Sequence, residues 1–263
     1  MNRTAIIAGA GALPGAVVAA MGQGPLVCAL DGFAPDGLAV DQVFRIERLA
    51  LFLRWLEDQG VARLAFAGAV RRPRLDPSLF DAATAQMVPR LLAAMQGGDD
   101  ATLREVLAIF EEAGFAIVGV ADLAPDLVPG AGLLAGEISV QDQTDALRAA
   151  AIVAALGAVD VGQGCVVARG LCLGVEALPG TDALLAQVAG LGDLHPGGGL
   201  LYKAAKPGQD RRIDLPTLGP HTVQAAARAG LGGIAFQAGA VICLDLPRMQ
   251  ALCAELGLFL WAR

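Results

Sequence analysis

Short apolar runs alternate with amphipathic segments along the first half of the chain. The apolar runs have the length of buried strands, and the longer segments repeat apolar residues at helical spacing. The pattern predicts strands at 5–8, 26–30, 64–67 and 116–120, and helices at 16–21, 49–59, 77–95 and 101–113. Strands that alternate with helices are typical of a mostly parallel sheet.

A break in this pattern at 122–136 predicts a linker, because the segment contains Pro129, Gly130 and Gly132 and has little periodicity. We therefore predict a Rossmann-like α/β domain over 1–130 and a C-terminal α/β catalytic domain over 131–263. The second domain is predicted to contain helices at 142–156, 217–229 and 246–256, strands at 165–168, 171–175, 200–201 and 258–261, and a loop at 176–182.

Composition narrows the class of protein. Apolar residues make up 55% of the chain and the mean hydropathy is +0.57, but no run of about 20 uncharged residues predicts a membrane span. No signal peptide is apparent at the N-terminus, so we expect a cytoplasmic protein. The five cysteines contain no Cys-x-x-Cys pair and are expected to be small buried residues. A net charge of −7 argues against nucleic acid as a partner.

The glycine-rich turn after the first predicted strand has two interpretations. Gly9 and Gly11 precede a helix whose N-terminus offers unpaired N–H groups to a phosphate. Pro14 departs from the dinucleotide fingerprint, although Asp31 ends the second strand where a ribose would lie. The turn therefore predicts nucleotide contact, with a ligand-free tight turn as one alternative and an NAD(P)-dependent oxidoreductase as another.

Rare reactive side chains concentrate between His195 and His221. This stretch contains both histidines, the only tyrosine, Tyr202, and the only two lysines, Lys203 and Lys206. Lysines confined to one place suggest point contacts to phosphate oxygens, and the alternative is a solvated loop.

Carboxylates near predicted helix starts are candidate cation ligands. Asp214 precedes a predicted helix entry and would bind a metal or a water, or cap the helix. Asp99 and Asp100, and separately Glu176 with Asp182, have the same two interpretations. Carboxylates of this kind suit Mg²⁺.

The ordered motifs resemble one family, the UDP-2,3-diacylglucosamine pyrophosphatases of the lipid A pathway, in the two-domain type unrelated to calcineurin-like phosphoesterases. The resemblance covers almost the whole chain. It rests on residues 6–14, 66–70 with Arg72 and Pro73, 98–104, 162–164, 175–177 with 180–183, and 206–219. Departures from the family pattern occur at Ala10, Ala205, Leu178, Pro179 and Gln237.

The resemblance implies hydrolysis of UDP-2,3-diacylglucosamine to UMP and 2,3-diacylglucosamine 1-phosphate (lipid X), in an active site between the two domains and with Mg²⁺ as cofactor. It implies catalytic roles for Asp214, Lys206 and Arg211, and metal binding by Asp214, Asp99 and Asp100. The substrate-binding residues implied are Gly9, Gly11, Ala12, Leu13, Pro14, Gln163, Glu176, Thr181, Asp182, Gln209 and Thr217. It also implies transient contact with the inner-membrane surface and is compatible with a homodimer. A non-catalytic carrier of a lipid-linked nucleotide is the remaining alternative.

Overall fold

The computed structural model describes residues 3–22, 24–70, 74–96 and 99–263, with the side chains of residues 99 and 100 left out. The predicted motif residues Arg72, Pro73 and Gly98 therefore lie outside the described residues. Contacts divide the chain into two compact units, one that ends at Ala124 and one that begins at Pro125.

The first unit contains one five-stranded sheet in the order β3-β2-β1-β4-β5, in which every pairing is parallel. This order is shared with sheets that bind dinucleotides. Its strands are β1 Arg3–Ala8, β2 Leu26–Leu30, β3 Gln42–Phe44, β4 Val61–Ala67 and β5 Ala116–Ile117. Its helices are α1 Leu13–Ala20, α2 Leu49–Asp58, α3 Ala82–Ala85, α4 Val88–Gln96, α5 Asp99–Glu112 and α6 Val120–Leu123.

Apolar composition explains why the central strands are buried. Every residue of β2 is buried, as are the last five residues of β1, which is the pattern of parallel strands covered on both faces. The amphipathic helix α2 buries Phe52, whose ring stacks on Phe44 with centroids 3.9 Å apart. The rings of Phe110 and Phe52 form a T-shaped pair with centroids 6.5 Å apart, so aromatic packing joins α2, β3 and α5.

The second unit contains a six-stranded mixed sheet in the order β6-β13-β11-β9-β7-β8 and a small parallel pair, β10 with β12. Strands β9, β11 and β13 are parallel to one another, and β7 is antiparallel to both β8 and β9. The strands are β6 Gly132–Ala135, β7 Gly164–Ala168, β8 Leu171–Val175, β9 Leu200–Lys203, β10 Thr217–Leu218, β11 Gly233–Phe236, β12 Ile242–Cys243 and β13 Phe259–Ala262. The helices are α7 Val140–Ala158, α8 Gly180–Ala189, α9 Pro220–Arg228 and α10 Leu246–Leu256. Within the described ranges, no helix has the length and apolarity to cross a bilayer.

Several predicted boundaries are wrong, for local reasons. The helix predicted at 77–95 is interrupted, because the side chain of Asp81 accepts hydrogen bonds from the N–H groups of residues 83 and 84 and starts the new helix α3. The predicted linker at 122–136 contains β6, which pairs with β13. Helix α9 begins at Pro220, three residues later than predicted, because Thr217 and Leu218 form β10.

Four of the five cysteines are buried, as the sequence predicts, and Cys172 on the edge strand β8 is exposed. Burial raises the pKa of Cys165 and of Cys243 to about 12. Both thiols therefore stay protonated at neutral pH and serve as packing groups.

The glycine turn after β1 packs directly against the chain that leaves β4. The N–H of Ala10 donates to the carbonyl of Ala69 at 2.9 Å, and the reverse bond has the same length. A Cβ atom on Gly9 would lie 2.6 Å from the carbonyl oxygen of Ala69. A Cβ on Gly68, whose φ is +97°, would lie 2.7 Å from the carbonyl oxygen of Gly9. Close backbone approach is therefore a structural reason for glycine at both positions.

We expect Gly9→Ala to lower the free energy of unfolding by about 1–3 kcal/mol, because the added methyl group forces the two backbones apart. Urea unfolding followed by circular dichroism measures this loss. The matched control is Gly15→Ala in α1, where the new Cβ meets no atom within 4 Å and helix propensity improves by up to about 1 kcal/mol. Equal effects of the two substitutions would contradict the packing role of Gly9.

Candidate functional site

The candidate site in the second unit lies where β9 and β11 end. The N–H of Gln237, just beyond β11, donates to the carbonyl of Lys203 at 2.9 Å, and its side-chain Oε1 accepts the N–H of Ala205 at 3.2 Å. The N–H of Ala204 donates to the carbonyl of Gln163 at 3.0 Å. The carboxyl ends of parallel strands are where α/β sheets bind ligands, and here three segments meet at that edge.

A buried ion pair closes this edge of the sheet. The Nζ of Lys203 donates to the hydroxyl of Thr181 at 2.5 Å and lies 3.3 Å from the Oε2 of Glu176. The hydroxyl of Thr181 in turn donates to the same carboxylate oxygen at 2.7 Å. The side chains of Lys203 and Glu176 are only 8% and 9% exposed, so each charge depends on the other for compensation.

Two glycines, one just before β7 and one at its first position, make room for this pair. A Cβ on Gly162 would lie 2.0 Å from the carbonyl oxygen of Glu176, and one on Gly164 would lie 2.7 Å from its Oε2. Between them, Gln163 has a buried Oε1 atom without a hydrogen-bond partner among the described residues. The motif 162–164 is thus explained at its two glycines by contact with Glu176.

A tight turn follows β9 and carries the second lysine. The N–H of Gln209 donates to the carbonyl of Lys206 at 3.2 Å, with Pro207 and Gly208 between them. Gly208 has a φ of +76°, and this arrangement of proline then glycine is that of a type II turn. The Nζ of Lys206 lies 2.6 Å from the Oδ1 of Asp160, in a pair that is partly exposed.

The side chain of Gln209 connects this turn to Asp214. Its Oε1 accepts the N–H of Lys206 at 2.8 Å, and its Nε2 donates to the Oδ2 of Asp214. Nearby, Arg212 donates three hydrogen bonds of 2.6–3.1 Å to the carboxylate of Asp210. These bonds hold the pKa of Asp210 below its ordinary value.

The structure places the other predicted residues of this unit less centrally. Asp182 is exposed, and its Oδ1 lies 3.5 Å from the Nδ1 of His221. Thr217 begins β10, and its hydroxyl donates to the carbonyl of Leu215 at 3.4 Å. Gly219 occupies the N-cap position of α9, so the capping role considered for Asp214 is wrong. Arg211 is exposed.

The predicted residues of the first unit lie in three places, namely the glycine turn and start of α1, the end of β2, and the start of α5. Helix α1 begins at Leu13 with Pro14 in its first turn, and its N-cap Ala12 offers no side-chain cap. Asp31 forms an exposed ion pair of 2.7 Å with Arg45 beside a cavity of about 230 Å³. Asp99 and Asp100 begin α5, and their side chains lie outside the described part of the chain.

Lys203 and Asp160 are absent from the site residues that the family resemblance implies. The rarity of lysine suggested that Lys203 contacts phosphate, whereas the structure buries its Nζ against Thr181 and Glu176. Lys203 carried a usable signal, because it is one of only two lysines, but a lysine that ends an apolar strand gives no sign of its partner. Asp160 follows α7 and has a φ of 56°, and the sequence gives no sign of its pairing with Lys206.

Comparison with known proteins follows the same division of the chain. The model of the LpxI N-terminal domain matches residues 3–127, and that of the LpxI C-terminal domain matches residues 130–261. The chain belongs to the LpxI family. A curated relative, UDP-2,3-diacylglucosamine pyrophosphatase LpxI of Caulobacter vibrioides, is 37% identical over 273 residues, which cover 98% of this chain and 96% of that protein. The family resemblance and the α/β fold class predicted from the sequence are confirmed.

The motifs that suggested this family meet in space within each unit. In the first unit, residues 9–10 pair with residues 68–69. In the second unit, residues 162–164 pack against Glu176, which also accepts a hydrogen bond from Thr181. The side chain of Gln209 forms hydrogen bonds with both Lys206 and Asp214. Among the described residues, no three His, Cys, Asp or Glu side chains come together as a metal-binding group.

We expect Lys203→Met to lower the free energy of unfolding by about 3–5 kcal/mol, because it leaves the Glu176 carboxylate buried without its cation. Denaturant unfolding of the purified variant measures the loss. Lys206→Met is the matched control, since its partly exposed pair contributes at most about 1 kcal/mol. The double variant Lys203→Met, Glu176→Leu should recover much of the stability, and an unrecovered loss would show that the pair is not the cause.

Proposed function

We propose that this protein hydrolyses the pyrophosphate bond of UDP-2,3-diacylglucosamine and releases UMP and lipid X, a step of lipid A biosynthesis. The support is membership of the LpxI family over both domains, together with a relative whose name states this activity. Water supplies the oxygen that forms the new phosphorus–oxygen bond to the β-phosphorus, and the bridging oxygen leaves with UMP.

Asp214 is the residue on which this proposal depends most. Its Oδ2 is held by Gln209, whereas its Oδ1 accepts no hydrogen bond from the described residues. A carboxylate with one fixed oxygen and one available oxygen suits the orientation of a water molecule or the binding of a cation. The observation that carries the proposal is this half-engaged carboxylate within the family motif.

The donor set suits a magnesium ion that arrives with the diphosphate better than one held by protein alone. Asp214 is the one metal ligand of the second unit that the family resemblance implies, and Mg²⁺ is commonly bound by one or two carboxylates with phosphate oxygens and water. When bound, the ion would neutralise charge on the diphosphate. Asp99 and Asp100 stay predictions as further ligands.

The two cations of the motif would act on the phosphates. Lys206 would exchange Asp160 for a phosphate oxygen, and the exposed Arg211 would neutralise the leaving UMP. Asp182 and Thr217 are proposed to contact substrate in this unit. In the first unit, Gly11, Ala12, Leu13 and Pro14 would approach the nucleotide phosphates, and the parallel strand order supports nucleotide binding there.

The acyl chains of the substrate imply transient contact with the inner-membrane surface. Leu178 is wholly exposed in the loop between Glu176 and Thr181, and an apolar side chain there would contact an acyl chain or the bilayer at little cost. A homodimer stays a prediction on which this chemistry does not depend.

We expect Asp214→Asn to lower kcat for UMP release by about 1,000-fold, because the amide keeps the shape of the carboxylate but loses its charge. Release of UMP from UDP-2,3-diacylglucosamine in mixed micelles is the measurement. Asp193→Asn, an exposed carboxylate in the same unit, is the matched control and should keep full activity. An Asp214→Asn enzyme with unchanged kcat would remove Asp214 from the mechanism.

We expect chelation with EDTA to abolish hydrolysis and Mg²⁺ to restore it, whereas Ca²⁺ should restore much less because its coordination is larger and looser. The same micellar assay with metal-stripped protein tests this. Undiminished turnover after exhaustive chelation would contradict the role of Mg²⁺. Tight substrate binding without turnover under any divalent ion would favour the non-catalytic carrier.

A further inference from the structure

We infer that Gln209 is a positioning residue that fixes the Asp214 carboxylate, a role different from the substrate binding that the family motif suggested. This inference rests on the proposed function, because it assigns Gln209 a task only through Asp214. Its basis is that the Gln209 amide is committed at both ends to groups of the protein.

The orientation of the Gln209 amide follows from its partners. The backbone N–H of Lys206 is a donor and requires an acceptor, so the amide oxygen faces it at 2.8 Å. The NH₂ group must then face the other way, where it donates to the Oδ2 of Asp214. A carboxylate is an acceptor only, so the two ends of the amide cannot be exchanged without losing both hydrogen bonds.

The anchor for this amide is rigid. The backbone N–H of Gln209 closes the turn onto the carbonyl of Lys206 at 3.2 Å, while its side chain returns to the N–H of the same lysine. Pro207 and the positive φ of Gly208 fix the turn between them. Gln209 is thus held by Lys206 at two points and transmits that position to Asp214, five residues further on.

The hydrogen bond from Gln209 engages only one oxygen of the Asp214 carboxylate. Gln209 and Asp214 are both half-buried, so the amide takes one carboxylate oxygen and leaves Oδ1 for water, phosphate or a cation. The bond to Asp214 assigns Gln209 a positioning role, because it fixes the orientation of the carboxylate that the proposed chemistry uses. The second N–H and the second lone pair of the amide stay available, so the test below compares kcat with KM.

Two substitutions separate the possible roles of Gln209. Gln209→Glu keeps an oxygen that accepts the N–H of Lys206, but it replaces the donor to Asp214 with a repelling carboxylate. Gln209→Leu has a similar size and removes both bonds. For a positioning residue we expect kcat to fall about 10- to 100-fold in both variants, with KM changed less than about threefold. If Gln209→Glu turned over as fast as wild type, the role of Gln209 would be limited to closing the turn. If KM rose while kcat stayed unchanged, Gln209 would be a substrate-binding residue. Either result overturns the inference.

The matched control is Gln141→Leu. Gln141 donates to the Oδ1 of Asp145 at 2.9 Å in the same unit, so its loss removes a glutamine–carboxylate bond that has no role in the proposed chemistry. We expect its kcat to equal that of wild type. A kcat loss in this control as large as in the Gln209 variants would mean that general destabilisation explains them, and it would overturn the inference.

Crystal structures of the full-length wild type and Gln209→Glu provide a readout that does not require activity. We expect the Asp214 carboxylate to move by about 1 Å or more in the variant, a displacement large enough to matter for catalysis. An unmoved carboxylate overturns the inference even if wild type hydrolyses the substrate. Conversely, a displaced carboxylate in a protein without turnover supports the inference and contradicts the proposed function.

Discussion

Lys203 is the last residue of strand β9, and its ammonium group is buried inside the second unit. A buried charge of this kind needs a compensating charge nearby. Glu176 supplies that charge at 3.3 Å and Thr181 supplies a hydroxyl acceptor at 2.5 Å. These bonds bring Glu176, which follows β8, and Thr181, in the first turn of α8, to the end of β9. Gly162 and Gly164 leave room for Glu176 there. The ion pair therefore fixes the end of β9, from which the chain continues into the turn at Lys206.

The ion pair also changes the interpretation of the motif that contains it. Glu176 and Thr181 resembled substrate contacts in the sequence, yet both are occupied by Lys203. A buried pair of this kind contributes little net stability but is costly to break. The pair therefore fixes the geometry of the loop that carries Glu176, and substrate contact by Glu176 and Thr181 stays a prediction.

Asp214 and Gln209 also differ in role, because Asp214 is proposed to act on the substrate and Gln209 to hold Asp214 in place. The carboxylate has one oxygen available, and the amide beside it is bound at both ends. In the first unit, Gly9 and Gly68 allow two backbones to approach closely, which explains these glycines without a ligand. Motif residues thus include supporting groups as well as groups that meet substrate.

The sequence by itself determined the family, the α/β class and most elements, because apolar periodicity and ordered motifs are local properties of the chain. It also singled out the stretch that contains Lys206 and Asp214 by the rarity of its side chains. Only the tertiary structure decided that Lys203 pairs with Glu176, that β6 lies within the predicted linker, and that Gln209 joins Lys206 to Asp214. The partners in the first two cases are far apart along the chain, and the third depends on a turn geometry, so hydrophobic pattern alone specifies none of them.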